Sequence, residues 1–433
     1  MRILIGTTEI SGLAADLCKS LCLAGEDAQL VLRHPHRFAY ASERSPALIR
    51  IWHRLHQTAG MGLVGRALAR VARSCWSLLV LAWAIRRFDS FLYLFGVGVT
   101  NSLLEFKLLR LLGKSVIVFY VGSDERPPFM DGAVCLGNPA PSIEQLRKLT
   151  LAKKRQILAC EKYASLCIGS PFSGQFHERA FVKCFSLGIP RHFVGSVQTA
   201  PTLGNTGAVR ILHAPSQLAA KGSKFIEEAI HNLSAEGHRI EYVRLENASN
   251  ERVLSEIGQC DFVVDQLYSD TPMSAFPTEA AHQGKPAVVG GYLAEQIERF
   301  LPAEDIPPTL FVHPEQLQDA IRRLVLDVEY RQELGKRAQQ FVSSRWSSQE
   351  VARRYMLLFR DQIPAEWWFD PQQIEYFHGF GLPSQGLAQL VDQFVQGDRR
   401  DSLCLSDKPK LEGCLLALAE QARGGANATT RPA

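Results

Sequence analysis

Short apolar runs alternate with helical periodicity along most of the chain. RILIG near the N-terminus reads as a strand, Leu13 to Leu23 as a helix and AQLVL as the next strand. FLYLF, a helix around Leu103 to Leu112, SVIVFY, a helix over Ile143 to Tyr163, SLCIG and FVKCFSLGIP continue the series. This rhythm predicts a parallel sheet covered by helices. GSVQTAPTLGNTG, residues 195–207, is rich in Gly, Ser and Thr and reads as a linker.

Beyond the linker the rhythm restarts with VRILHA as strand, Ser223 to Ala235 as helix, RIEYVRL as strand, Glu251 to Ile257 as helix and DFVVDQL as strand. Phe225, Ile226, Ala229, Ile230 and Leu233 fall on one face of the first of these helices, the spacing of a helix packed on a sheet. Two α/β domains in tandem, residues 1–194 and 208–345, therefore face each other across a hinge. From Pro314 the pattern is helical, and residues 346–364 continue it. In the extension, 365–433, WWFDPQQIEYFHGFGLP is aromatic and turn-rich and carries no recognisable chemistry; GGANATTRPA at its end reads as disordered.

Composition narrows the class. The 433 residues are too many for one ordinary core, and 46% hydrophobic with 21% charged residues is the balance of a soluble globular protein. A net charge of +4 is small for this length, and no nucleic-acid-binding module is recognisable, so no nucleic acid is expected. The ten cysteines form no CxxC pair and no zinc spacing, which predicts reduced thiols and a cytoplasmic protein. The N-terminus lacks a signal-peptide pattern, and no uninterrupted run reaches the roughly 20 apolar residues of a membrane span. HPH at 34–36 and HRLH at 53–56 have no carboxylate or Cys beside them, so no metal site is expected.

The stretch with the most chemistry is TPMSAFPTEAAHQGKPAVVGG, from Thr271. It follows DFVVDQL, and the C-terminal end of such a strand is where an open parallel sheet binds ligands. The helix after it presents unpaired amides and the positive end of its dipole, a seat for a diphosphate, and the small Ser274 and Ala275 allow close approach. Glu279, one turn in, suits the paired hydroxyls of a ribose. Each residue also has a plainer reading: Glu279 as complement to the helix dipole, GKP as a helix end, Lys221 as a solvated side chain, Asp124 in GSDER as a turn residue and His213 as a packed histidine.

DQLYSDTPMSAFPTEAAHQGKPAVV resembles the nucleotide-sugar region of GT-B glycosyltransferases of family 4, whose pattern is Glu, seven residues, Glu-Ala, then Gly-Lys-Pro and an apolar strand. RILHAPSQLAAKGSKFIEEAI and VEYRQELGKRAQQFVSSRWSSQEVARRYMLLF are similar to the opening and closing parts of that family's donor domain. FDSFLYLFG and LLGKSVIVFYVGSDER resemble segments of its acceptor domain. The resemblance implies two Rossmann-like domains across a cleft, with 346–364 crossing back to the first. It implies a UDP- or GDP-linked sugar donor, a glycan or lipid-linked acceptor, retention of configuration and no cofactor or metal. Lys221 would neutralise the diphosphate with Ser216, Ser274 and Ala275 nearby, Glu279 would bind the ribose, and Asp124 would lie beside the transferred sugar. Thr7 and Gly12 belong to the first loop, TTEISG, which has one Gly where a Gly-rich loop is common.

The chain departs from the pattern at four places. Thr271 stands for the first Glu, with Asp270 the nearest carboxylate; Ser216 stands for a frequent Arg; Tyr120 stands for a His; and the first loop is poor in Gly. A nucleotide-sugar-binding protein without turnover and a sugar-nucleotide epimerase of the same architecture are the alternative readings. Between Arg44 and Arg87 the chain carries eight Arg and no Asp or Glu, interleaved with apolar runs that include Trp76 and Trp83. Such a segment predicts a surface that settles on anionic lipid headgroups, or a buried helix pair whose Arg side chains face the acceptor cleft or solvent.

Overall fold

The computed structural model describes residues 1–34, 46–56, 63–100, 102–192, 207–397 and 399–429. The expected linker lies outside these except for Gly207. The first half contains β1 (Arg2–Thr7), α1 (Leu13–Leu23), β2 (Asp27–Leu32), α2 (Ala47–His56), α3 (Leu63–Arg87), β3 (Ser90–Leu94), α4 (Leu103–Leu111), β4 (Ser115–Phe119), α5 (Gly132–Cys135), α6 (Ile143–Tyr163), β5 (Leu166–Gly169), β6 (Phe181–Lys183) and α7 (Cys184–Leu187). The second contains β7 (Val209–His213), α8 (Leu218–Lys221), α9 (Ser223–Ala235), β8 (Ile240–Arg244), α10 (Asn250–Gln259), β9 (Phe262–Val264), α11 (Ala275–His282), β10 (Ala287–Gly290), β11 (Leu310–Val312), α12 (Leu317–Leu326) and α13 (Val328–Ser344). Then follow α14 (Ser348–Phe359), β12 (Trp368–Phe369), α15 (Ser384–Val395) and α16 (Pro409–Thr429).

The strands form two separate sheets. The first has the order β12-β6-β5-β4-β3-β1-β2, parallel throughout except that β12 runs antiparallel to β6. The second has the order β11-β10-β9-β7-β8 and is parallel. Every residue of β3 is buried, as a central strand covered on both faces requires. On α1, Leu13, Leu17 and Leu21 recur every four residues and pack in one cluster with Val351, Ala352, Tyr355 and Phe359 of α14. That spacing brings α14 back from the second sheet onto the first.

Two expectations are corrected by packing. Phe225 does not join the buried stripe of α9: it is 49% exposed, while Ile226, Ala229, Ile230 and Leu233 face the sheet. The extension is part of the first domain's core, where Leu387, Val391 and Phe394 of α15 and Leu411 and Leu415 of α16 pack with Phe129, Phe176 and Phe181. The end read as disordered is helical as far as Thr429.

Sequence counting also understates α3. Residues Leu68–Arg87 have a mean hydropathy of 1.4 over a length that suffices to cross a membrane by length and composition alone. Arg70 and Arg73 interrupt the apolar run in sequence without removing its helical apolar face. Ala69, Val80, Leu81 and Ala84 of that helix are buried in the domain.

Candidate functional site

A cleft of about 610 Å³ separates the two sheets and is lined from both domains, a size common for ligand sites. On the second domain it opens where the sheet order reverses, between β7 and β9. Ala214, Pro215 and Ser216 leave the end of β7, and Asp265 follows the end of β9. His213, the last residue of β7, is a packed histidine: its ring nitrogens meet the Val264 carbonyl and the Ser223 hydroxyl, each at 2.8 Å, and burial lowers its pKa.

Asp265 organises this wall. One carboxylate oxygen accepts a hydrogen bond from Lys221 Nζ at 2.9 Å, and the other accepts one from the Ser274 hydroxyl at 2.8 Å. Lys221 is thereby tied to the residue that opens α11. The turn behind it is tight: Gly222 has φ 69°, and a Cβ there would lie 2.7 Å from the Leu267 Cβ. Only glycine accepts both constraints without strain.

Ser274 is the N-cap of α11, but with its hydroxyl on Asp265 it makes no side-chain cap. Among the described residues no protein acceptor meets the amides of Ser274, Ala275 or Phe276. These bare amides precede Pro277, which sits inside the first turn and has no N–H to offer. They carry the helix's partial positive charge into the cleft beside the Lys221 ammonium, an arrangement suited to an oxyanion.

Glu279 lines the same cleft and is nearly buried. Asn250 Nδ2 donates to its Oε1 at 3.0 Å. Burial raises the Glu279 pKa, while Arg191 across the cleft and the Asn250 amide act in the opposite direction. Arg191, from the first domain, donates to the Ser11 carbonyl and lies 3.3 Å from Asp16 Oδ2, leaving its Nε without a partner. Leu245, Ala248, Val253 and Phe276 form an apolar wall near Glu279. The wall, the carboxylate and the bare amides provide surfaces for a base, a ribose and a diphosphate.

The two candidate carboxylates nearest the domain boundary, Asp270 of the second domain and Asp124 of the first, are engaged differently. Asp270 lines the cleft, but its Oδ2 accepts a hydrogen bond from Arg126, which also meets Asp131 at 3.3 Å and lies 4.7 Å from the Phe380 ring centroid. It is therefore an ion-pair partner bridging the domains. Asp124 does not line the cleft. Its Oδ1 accepts from the Val121 amide at 2.9 Å and its Oδ2 is buried without a partner. Burial, with the nearby Glu125 adding to it, raises its pKa to about 7. Asp124 thus holds the Val121–Gly122 wall.

Thr7 is buried with its hydroxyl on the Val97 carbonyl, and Gly12 starts α1 in a left-handed conformation. Neither is in the cleft lining. The amides of Ala14 and Ala15 are covered by Glu9, at 3.1 and 2.9 Å, so the start of α1 offers no seat for phosphate. Ser216, Lys221, Asp270, Ser274, Ala275 and Glu279 do come together in one cleft. Asp265, Asn250, Arg191 and Arg126 escape the sequence reading. Asp265, at the end of an apolar strand, had a local signal; the others act through contacts distant in sequence.

No family model matches the chain, and no curated protein does either. Solved structures do. Sucrose-phosphate synthase from Thermosynechococcus elongatus is similar over 83% of this chain and 98% of its own, with 14% identity and a TM-score of 0.51. HepE from Anabaena, in complex with UDP, is similar over 83% of this chain and 100% of its own, at 12% identity and a TM-score of 0.45. The spinosyn rhamnosyltransferase SpnG covers the same shares at 18% identity and a TM-score of 0.40. The fold is GT-B: two parallel-sheet α/β domains facing across a cleft.

Proposed function

We propose that the protein is a glycosyltransferase, similar to family 4, that moves a sugar from a UDP- or GDP-linked donor to a glycan or lipid-linked acceptor. The observation that carries this reading is the meeting of three features in one cleft: bare amides at Ser274–Phe276, Lys221 held beside them by Asp265, and Glu279 held by Asn250. The diphosphate sits against the amides and Lys221, and the ribose hydroxyls donate to Glu279. As the bond from the anomeric carbon to the diphosphate oxygen breaks, negative charge grows on that oxygen, where a cation and fixed dipoles stabilise it most. The acceptor oxygen bonds to the anomeric carbon, and its proton passes to the departing diphosphate.

In this reading the reaction retains configuration and needs no metal. Asp270 supports domain closure through Arg126, and Asp124 positions the Val121 backbone. Ten cysteines that form no disulfide with one another support a reducing, cytoplasmic setting.

Incubation with UDP- and GDP-sugars and a panel of glycan and lipid-linked acceptors, read by nucleotide release and thermal shift, tests the reading. Release that depends on acceptor supports it. Stabilisation without release identifies a binding protein, and an altered sugar without acceptor identifies an epimerase.

A further inference from the structure

The outer face of α3 carries an apolar stripe that no described part of the chain covers. Leu68, Val71, Ala72, Cys75, Leu78 and Leu79 follow one another at helical spacing, with Leu68 66%, Val71 63%, Leu78 60% and Leu79 53% exposed. At a rise of about 1.5 Å per residue the stripe is about 17 Å long. A continuous apolar surface of this kind on a soluble domain marks an interaction site.

Its borders are basic. α2 packs alongside α3, with the Trp52 indole donating to the Ser77 hydroxyl at 2.9 Å, and exposes Arg50, Ile51 and Arg54 on its outer face. Arg70 and Arg86 are exposed on α3 itself. Among the described residues Arg50, Arg54, Arg70 and Arg86 form no ion pair. No Asp or Glu occurs between Arg44 and Arg87 to supply one locally.

The geometry points to docking of this face on an anionic lipid bilayer, with α3 lying in the headgroup plane and its leucines among the acyl chains. Charge selects this occupant over a second copy of the chain. A two-fold interface places the same patch on both partners, so it would set Arg against Arg with no acid between them. An anionic bilayer offers negative charge at the depth of the arginines and hydrocarbon beneath the leucines. α3 does not cross: its opposite face, including Val80, Leu81 and Ala84, belongs to the domain core.

His53 Nε2 lies 2.6 Å from the carbonyl of Leu32, the last residue of β2, which ties α2 to the end of the sheet where the cleft opens. This inference rests on the transferase reading and deepens it: the acceptor is lipid-linked and reaches the first domain from the bilayer.

Flotation of the full chain with vesicles of phosphatidylcholine, alone or mixed with phosphatidylglycerol, tests it. The protein floats only with the mixed vesicles, and added salt releases it. Leu78→Glu/Leu79→Glu lowers the bound fraction at least about tenfold, given the apolar burial lost. Replacing Arg50, Arg54 and Arg70 by Ser lowers it roughly fivefold per residue at low salt. UDP binding and melting temperature stay unchanged in both variants. Failure of the parent to float, or equal flotation of the Leu78→Glu/Leu79→Glu variant, overturns the proposal. So does a parent dimer that this variant dissociates without any vesicle binding. Calorimetric UDP binding without vesicles reads the transferase site separately, so either claim can fail while the other stands.

Discussion

Asp265 holds Lys221 with one carboxylate oxygen and Ser274 with the other, at 2.9 and 2.8 Å. The strand end thus fixes a cation beside the open first turn of α11 before any ligand arrives. Preorganisation of this kind spares a ligand the cost of ordering both groups. Asp265→Asn is expected to weaken UDP binding about tenfold by loosening Lys221, while uridine binding changes little. Calorimetric titration with both ligands checks it; equal losses for the two would mean that Asp265 supports the pocket as a whole.

Glu279 and Asn250 form the second fixed pair of the site. Glu279→Gln should reduce the preference for UDP over its 2′-deoxy analogue by about tenfold, the worth of one charge-assisted hydrogen bond. Competition binding of the two nucleotides reads this directly. An undiminished preference in the variant would remove Glu279 from ribose recognition.

His177 is buried between Glu125 and Glu161, at 3.0 and 2.8 Å. Burial alone lowers its pKa, but the hydrogen bonds to the two carboxylates outweigh this and raise it to about 9. The unfolded value is about 6.5, so the folded state binds the extra proton and gains stability that is full below about pH 6.5 and lost as pH rises through 9. Melting temperature should fall across that window, and His177→Gln should flatten the fall. A variant with the parent's slope would place the titration elsewhere.

Arg126 joins the domains by pairing with Asp270 from the second and Asp131 from the first, all three nearly buried. Arg126→Ala strands two buried carboxylates and should destabilise by about 3–5 kcal/mol. Phe394→Ala, in the extension's contribution to the core, should cost about 3–5 kcal/mol as a cavity. Denaturant unfolding measures both. A Phe394→Ala variant as stable as the parent would make the extension dispensable to the core.

The alternation of apolar strands and helices was legible because burial dictates it locally: α1, α6 and α9 have the boundaries that their apolar spacing predicts. Phe225 misleads because it stands at the margin of its stripe, where solvent and sheet meet. On α15, Leu387, Val391 and Phe394 recur at helical spacing, a readable signal that the aromatic, turn-rich run before it obscures. The placement of Glu279 and Lys221 in one cleft was legible through local motifs. Arg126, Arg191 and Asn250 acquire meaning only when segments far apart in sequence meet, which no local pattern encodes. The start of α1 is closed to phosphate because Glu9 folds back over its amides, a contact set by loop conformation that no local pattern encodes.

The most direct test of the diphosphate seat is calorimetric titration of the parent and Lys221→Ala with UDP and GDP. The site predicts that the parent binds at least one of them and that the variant, still folded, binds it at least about tenfold more weakly. Equal affinity of parent and variant would contradict it.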